Sequence, residues 1–159
     1  MKFIVDCMLG KLAKWLKILG FDVLYFSKIG DDELIQMARK EGRILLTRDN
    51  GLVEKSKNFT SIFIQSENWT SQVRQVLNAF HLQDQINPHS RCLQCNQKLK
   101  PLSREKAKNL VTPFVYQKSD SFALCPDCGR VYWKGTHMSN MEKKIASILN
   151  SDKNNYSDS

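Results

Sequence analysis

The chain has 159 residues, 42% of them hydrophobic, and a formal net charge of +8 at pH 7. This length allows one domain, or one compact domain with a small appendage. No apolar run approaches the length of a membrane span. Asp6 interrupts the opening apolar residues before the core of a secretory signal peptide could form.

The first half of the chain alternates between strand-like apolar runs and helical patterns. The predicted strands cover 2–5, 21–26, 44–47 and 61–65. One helix is predicted to end at Gly20, and a second to start near Asp31 and end at Gly42. A further helix presents Val73 and Phe80 on its apolar face. This alternation favours right-handed βαβ units and a parallel sheet that is covered by helices on both faces.

The second half of the chain has a different pattern, with short strands predicted over 114–116, 122–124 and 131–133. Ser139 and Glu142 form a capping box that is predicted to start a last helix.

The predicted organisation follows from this change of pattern. An α/β domain covers 1–82, and the polar, turn-forming residues 83–90 are a linker. A small domain with the C-terminal helix covers 91–149, and the polar residues 150–159 are expected to be a disordered tail.

Positive charge is concentrated in the second half. Residues 1–90 contain 12 basic and 10 acidic side chains, whereas residues 91–159 contain 12 and 6. A small basic domain suggests a polyanionic partner, most commonly nucleic acid. The alternative is a lysine-rich surface that is merely solvated.

Four of the five cysteines form two Cys-x-x-Cys pairs, Cys92 with Cys95 and Cys125 with Cys128. Each such turn points two sulfurs at one ion, and two turns complete a tetrahedral zinc site. All four positions are then filled by protein, so the zinc is structural and folds a segment too small to fold alone. A redox Cys-x-x-Cys motif is the competing interpretation. Paired cysteines of this kind suit the reducing cytoplasm, and Cys7 stands apart from them.

Acidic residues stand where the carboxyl ends of the predicted parallel strands meet. Asp6 ends the first strand, Asp49 follows the third, and Asp31 and Asp32 begin the helix between the second and third strands. Ligands of parallel α/β sheets collect at this edge. Carboxylates suit magnesium or manganese, which can activate water and offset charge on a phosphate. In the alternative, Asp31 or Asp32 is only an N-cap, and Asp49 only part of a turn.

Four stretches of the sequence resemble one family. They are Phe3–Leu16, Leu45–Asp49, Arg91–Asn96 and Cys125–His137, the last with the motif Cys-Pro-x-Cys-Gly-x-Val-Tyr-Trp-Lys-Gly-x-His. In this order they resemble the Mut-seven C-terminal RNase family, in which a PIN-like RNase domain carries a zinc ribbon. The resemblance implies a PIN-like three-layer α/β/α sandwich with a central parallel sheet, followed by a small zinc ribbon and a C-terminal helix. It also implies a metal-dependent ribonuclease activity.

The same resemblance implies the catalytic residues. Asp6 matches the acid of the first strand, and Asp49 matches the acid of the Thr-Arg-Asp motif. The middle acid falls on Asp31 or Asp32, of which Asp32 is preferred. A fourth acid, usual in PIN nucleases, has no clear counterpart. The three acids are expected to hold one or two magnesium or manganese ions.

Basic side chains near the acids and in the ribbon are expected to contact RNA. The candidates are Lys11, Lys14 and Arg48 near the acidic edge and Arg130, Lys134 and His137 in the ribbon. A solvated helix surface is the alternative for the two lysines at 11 and 14, and His137 could instead replace one zinc ligand. Trp15 is expected in the core, and Trp133 is interpreted as filling the small core between ribbon and nuclease domain.

These features together predict a cytoplasmic endoribonuclease with a structural zinc ion and a catalytic magnesium or manganese ion. The expected partner is RNA, with tRNA or another structured RNA among the candidates. The alternative is a non-catalytic RNA-binding or adaptor protein that keeps the fold without turnover. The acidic cluster is the feature that discriminates between the two.

Overall fold

The computed structural model describes residues 1–150, apart from the side chains of residues 136–138. The predicted tail therefore lies outside the described residues from residue 151 onward. The chain divides into two compact units, Met1–Asn96 and Gln97–Ser159. No helix of the described part is both long enough and apolar enough to cross a membrane.

The first unit is built on four parallel strands. They are β1 (Lys2–Val5), β2 (Asp22–Tyr25), β3 (Ile44–Thr47) and β4 (Ser61–Phe63), in the order β2-β1-β3-β4. The two central strands are nearly continuous runs of buried apolar residues, as expected for strands that are covered on both faces. The predicted parallel sheet is confirmed, although β2 and β4 are shorter than predicted.

Four helices accompany this sheet: α1 (Gly10–Ile18), α2 (Asp31–Glu41), α3 (Asn50–Lys55) and α4 (Trp69–Ala79). Short 3₁₀ turns at Cys7–Leu9 and Gln83–Gln85 precede α1 and follow α4. The chain moves from β1 to β2 in one direction and back across β1 to β3 in the other. Right-handed crossovers therefore put α1 and α2 on opposite faces of the sheet. In agreement, α1 packs against α4, whereas α2 contacts β1 and β3.

Each face of the sheet has its own core. On the face of α2 and α3 the buried cluster consists of Ile4, Leu34, Ile35, Ala38, Leu45 and Leu52. On the other face Phe3 meets Phe21 and Phe80 edge-on, with ring centroids 6.2 and 5.9 Å apart. Trp15 stacks on Trp69 at 4.6 Å and is 5% exposed, which confirms its place in the core. Each fully buried side chain of this size contributes about 1.5–3 kcal/mol.

The start of α2 differs from the prediction. Its N-cap is Gly30, whose carbonyl oxygen accepts a hydrogen bond from the Leu34 amide. Asp31 and Asp32 lie in the first turn, where their charge is favourable to the helix dipole. The expectation that one of them is the N-cap is therefore wrong. The predicted end at Gly42 is confirmed, since its φ is +63°.

The C-terminal end of α1 is covered by residues 87–90 of the predicted linker. The amides of Asn87 and His89 donate to the carbonyl oxygens of Leu19 and Ile18, both at 2.9 Å. Gly20 follows the helix with a φ of +97°, and a Cβ added there would lie 2.4 Å from the Asn87 carbonyl oxygen. Glycine is required here both for the left-handed backbone and for the close approach of another backbone segment.

Replacing Gly20 is expected to destabilise the protein much more than replacing Gly42. Both residues have a positive φ, which costs an alanine about 1–2 kcal/mol. Only at Gly20 does the new methyl group meet backbone, whereas a Cβ at Gly42 has nothing within 4 Å. We expect Gly20→Ala to lose about 2–5 kcal/mol and Gly42→Ala about 1–2 kcal/mol, measured by urea unfolding. Equal losses would contradict the close approach at Gly20.

A buried arginine network holds the amino ends of the strands and the residue after the first cysteine pair. Arg43, 8% exposed, donates to Asp22 Oδ1 at 2.7 Å and to the Phe3 carbonyl oxygen at 3.1 Å. Asn96 Nδ2 donates to the same Asp22 oxygen at 2.7 Å, and Asn96 Oδ1 accepts from the Val23 amide at 3.0 Å. Burial by itself would raise the pKa of the Asp22 carboxyl. The hydrogen bonds from Arg43 and Asn96 outweigh burial and hold this pKa below its usual value. The first cysteine turn is thereby fixed to the edge strand β2.

The second unit contains a three-stranded antiparallel sheet, β5 (Lys100–Leu102), β6 (Phe122–Leu124) and β7 (Val131–Trp133), in that order. Its helices are α5 (Arg104–Ala107), α6 (Pro113–Lys118) and α7 (Thr136–Asn150). The predictions of β6 and β7 are confirmed, whereas β5 was not predicted.

Three predictions for the second unit are wrong. The strand predicted over 114–116 is helix α6, because Thr112 caps the segment and Pro113 has a φ suited to the first helical position. The last helix begins before Ser139, so the predicted capping box does not start it. Trp133 is 39% exposed and does not fill a core.

Candidate active site and metal centre

The four paired cysteines come together as a group. The Sγ atoms of Cys92, Cys95, Cys125 and Cys128 all lie within 4.8 Å of one another, and all four are free of disulfides. Zinc–sulfur bonds of about 2.3 Å would place tetrahedral sulfurs about 3.8 Å apart. The donors therefore fit a zinc ion in type, number and spacing.

The two cysteine turns have the same backbone design. In each, the amide of the second cysteine donates to the Sγ of the first, at 3.4 Å in one turn and 3.5 Å in the other. The residue after each pair has a positive φ, +64° at Asn96 and +74° at Gly129. Asparagine and glycine are the residues that tolerate this conformation best. Such amide donors orient the sulfur atom of a metal ligand.

Lys17 of α1 lies beside the first cysteine turn. Its Nζ is 3.5 Å from the carbonyl oxygen of Leu93, which stands between Cys92 and Cys95. Burial lowers the pKa of the Lys17 ammonium, and the negative charge of the two thiolates acts in the opposite direction. A zinc ion with four thiolates carries a net charge of −2, so a nearby cation helps to offset it.

At the carboxyl edge of the parallel sheet, one buried hydroxyl connects two of the predicted acids. Asp6 follows β1 and is only 6% exposed. Thr47 Oγ1 donates to Asp6 Oδ2 at 2.9 Å and accepts from the Asp49 amide at 2.9 Å. A role for Thr47 was not predicted. The signal for it is a hydroxyl that ends an otherwise apolar strand, because a fully buried hydroxyl needs hydrogen-bond partners.

Asp49 has a second function in the fold. It is the N-cap of α3, and its Oδ1 accepts a hydrogen bond from the Gly51 amide at 2.7 Å. The Asn50-Gly51 pair therefore begins a helix and is not the simple turn offered as the alternative. The Asp49 side chain remains exposed at the edge of the sheet.

The middle acids at the start of α2 are both exposed. Asp31 Oδ2 lies 3.7 Å from Lys55 Nζ, at the last residue of α3. The pKa of the Cys7 thiol is raised, first by desolvation and then by a hydrogen bond to Asp6 and the charge of Asp6. The charge of Asp31 has a smaller effect in the same direction. Asp31 is thus close enough to influence the residue that follows Asp6. Asp32 occupies the next position of the helix turn.

The acids are less tightly gathered than the cysteines. Among the side chains that the structure describes, the four cysteines are the one group of three or more Cys, His, Asp or Glu residues placed to share an ion. Proteins often hold magnesium through only one or two carboxylates, with water and substrate phosphates completing the shell. Asp6 and Asp49 fit such an ion in donor type.

The basic side chains near the acidic edge have separate surroundings. Arg48 Nη1 donates to the Ile64 carbonyl oxygen at 2.9 Å, and Nη2 lies 3.9 Å from Glu67. The ammonium of Lys11 lies over the Trp69 ring, 5.2 Å from its centroid. Lys11 and Arg48 thus already have partners within the first unit.

The remaining predicted RNA contacts are exposed wherever they are described. Lys14 is exposed on α1, and Arg130 and Lys134 are exposed in the second unit. The side chain of His137 lies outside the described residues.

Comparison with known proteins gives one match. The family model described as the Mut7-C RNAse domain matches residues 1–145, which include the acidic edge and all four paired cysteines. No curated protein and no solved structure matches the chain.

Proposed function

This chain belongs to the Mut7-C RNAse domain family, and from that premise we propose that it hydrolyses RNA at the acidic edge of its parallel sheet. The family suggests a ribonuclease-type function with an RNA substrate. The observation that carries the proposed site is the pair of acids that share the buried Thr47 hydroxyl. Thr47 holds the carboxylate of Asp6 and the backbone amide of Asp49, so both acids are fixed at the carboxyl ends of parallel strands, where ligands of such sheets bind.

The proposed roles follow from these contacts. Asp6 and Asp49 would hold a magnesium or manganese ion. Such an ion, when bound, lowers the pKa of water and offsets negative charge on a phosphate. Thr47 fixes the orientation of the Asp6 carboxylate and the start of the Asp49 segment.

We propose Asp31, in preference to Asp32, as the third acid. The ion pair of Asp31 with Lys55 puts its carboxylate next to the end of the helix that Asp49 starts. Its charge also influences Cys7, which follows Asp6 in the chain. These two observations support the choice of Asp31 over Asp32, the acid that the sequence alone favours.

Substrate binding is proposed to use both parts of the chain, a PIN-like nuclease domain over 1–82 and a zinc ribbon over 91–149. Lys14 and Arg48 would contact phosphates near the acidic edge. The exposed side chains of Arg130 and Lys134 would hold RNA in the ribbon. The basic surplus of residues 91–159 supports this division, and paired cysteines with metal-ligand spacing suit a cytoplasmic location.

A second candidate, an RNA-binding or adaptor protein without turnover, is favoured by two observations. The Asp49 carboxylate caps α3, and the acids are not gathered as a group of three. A site that retained its fold and lost its metal would keep these capping and bridging roles.

Both candidates are tested by incubating the full chain with labelled single-stranded and structured RNAs. Magnesium or manganese should be omitted and then restored, since a strong chelator would also remove zinc. The nuclease proposal predicts cleavage only with the added metal and an unchanged zinc content throughout. Binding without cleavage in every metal would overturn it and support the adaptor candidate.

A further inference from the structure

A pocket of about 430 Å³ opens on the first unit, between α1, the end of β2 and the first cysteine turn. One side is formed by a single face of α1, with Gly10, Ala13, Lys14 and Lys17 at helical spacing. The other side includes Tyr25, the last residue of β2, and Leu93 of the first cysteine turn. The volume falls in the range of about 300–1,000 Å³ that is typical of small-ligand sites.

The pocket depends on a close approach between α1 and Tyr25. A Cβ at Gly10 would lie 2.8 Å from the Tyr25 hydroxyl oxygen, so glycine leaves room for the ring. The Tyr25 hydroxyl donates to the Cys7 carbonyl oxygen at 2.8 Å. Since Cys7 directly follows Asp6, this hydrogen bond fixes one wall of the pocket to the acidic edge.

The lining combines basic side chains with apolar and aromatic ones. Among the described lining residues none is acidic, and two are lysines. Lys14 is exposed, whereas Lys17 is half-buried with one N–H directed at the Leu93 carbonyl oxygen. An ammonium has three donors, so two remain for an anion. The partly exposed Leu93 and Tyr25 side chains offer apolar and aromatic surface to the body of the same ligand.

We propose that this pocket binds one nucleotide of the RNA strand that lies across the acidic edge, an inference that rests on the proposed function for its substrate class. The phosphate lies on Lys14 and Lys17, and the base packs against Tyr25 and Leu93. A phosphate joined to a flat, largely apolar ring matches this combination of two cations with aromatic surface. The pocket would hold the strand beside the carboxylates and fix its register there.

The test measures the affinity of a short labelled single-stranded RNA for Lys14→Gln, Lys17→Gln and the double variant, in magnesium-free buffer. The matched control is Lys2→Gln with Lys40→Gln, because both lysines are exposed and lie outside the pocket. We expect the double variant to bind about tenfold more weakly. Its salt dependence should fall by about 0.7 in log–log slope for each lysine lost. The control should change neither quantity by more than about twofold.

Tyr25→Leu tests the base contact separately, and it is expected to weaken binding by about tenfold without a change in salt slope. Zinc content is measured for every variant. If Lys17→Gln loses zinc, the affinity of Lys14→Gln alone tests the phosphate contact. The Lys14 side chain is exposed, so its replacement should leave the fold and the zinc content unchanged.

Failure of this proposal and failure of the proposed function give different results. Unchanged affinity in the lysine variants, with RNA still cleaved, overturns the nucleotide pocket and leaves the nuclease in place. Weaker binding in these variants, with no cleavage by the unmodified chain, supports the pocket and overturns the nuclease.

Discussion

Replacing Cys125 by serine is expected to abolish zinc binding and to unfold the second unit. The buried Cys125 thiol is one of four sulfurs within 4.8 Å of one another, and three ligands cannot complete a tetrahedral structural site. Structural zinc in small domains contributes apparent binding free energies of about 10–16 kcal/mol. The second unit has only short strands and helices, so the apolar surface that it buries cannot supply a comparable free energy of folding.

The measurement combines zinc content with circular dichroism and limited proteolysis. The unmodified chain should hold one zinc ion, and Cys125→Ser should hold none and be cleaved rapidly within residues 97–150. Cys7→Ser is the matched control, since Cys7 is exposed and lies outside the group of four. It should keep both the zinc and the resistance to protease. A metal-free chain with an unchanged spectrum would contradict a structural zinc site.

Replacing Asp6 by asparagine is expected to lower the rate of RNA cleavage by at least about 100-fold while leaving the fold intact. Removing a side chain that hydrogen-bonds to a metal ligand typically lowers metal affinity or activity by about 10–100-fold. Removing a ligand itself should lower the cleavage rate further. The asparagine has the same shape and keeps an oxygen that can accept the hydrogen bond from Thr47. The change therefore removes the charge and preserves the packing.

The control for this prediction is Asp32→Asn, an exposed acid in the first turn of α2. Cleavage rates are compared in magnesium and manganese, with thermal unfolding measured for each variant. Asp32→Asn should cut at a rate close to that of the unmodified chain. If the two variants cut equally well, Asp6 is not part of the reacting site.

The elements that the sequence predicted well are those set by local pattern. Continuous apolar runs at β1 and β3 require a covered parallel sheet, and Gly20 and Gly42 end their helices because their backbone is left-handed. The cysteine site followed from spacing, because a Cys-x-x-Cys turn itself determines where its two sulfurs point.

The errors arose where a local pattern has two solutions. Thr112 and Pro113 can begin either a turn into a strand or a helix, and the aromatic residues that follow have high strand propensity. Gly30 caps α2 although two aspartates stand beside it, because an N-cap is decided by backbone conformation at one position.

Contacts between distant segments could not be predicted from spacing. Thr47 bridges the two acids only because β1 and β3 are neighbours in register. Tyr25 meets Gly10 only after the crossover from α1 to β2 is formed. Such pairs become visible once strand order is known, which one sequence does not specify.

Whether RNA is cleaved at the acidic edge is decided by the single-turnover cleavage rate of Asp49→Asn. Asparagine is as good an N-cap as aspartate, so the hydrogen bond to Gly51 and helix α3 are retained while the charge is lost. If the acidic edge is the reacting site, this variant should unfold at the temperature of the unmodified chain and cut at least about 100-fold more slowly. A rate equal to that of the unmodified chain would mean that Asp49 is only a helix cap and that RNA is not cleaved at this edge.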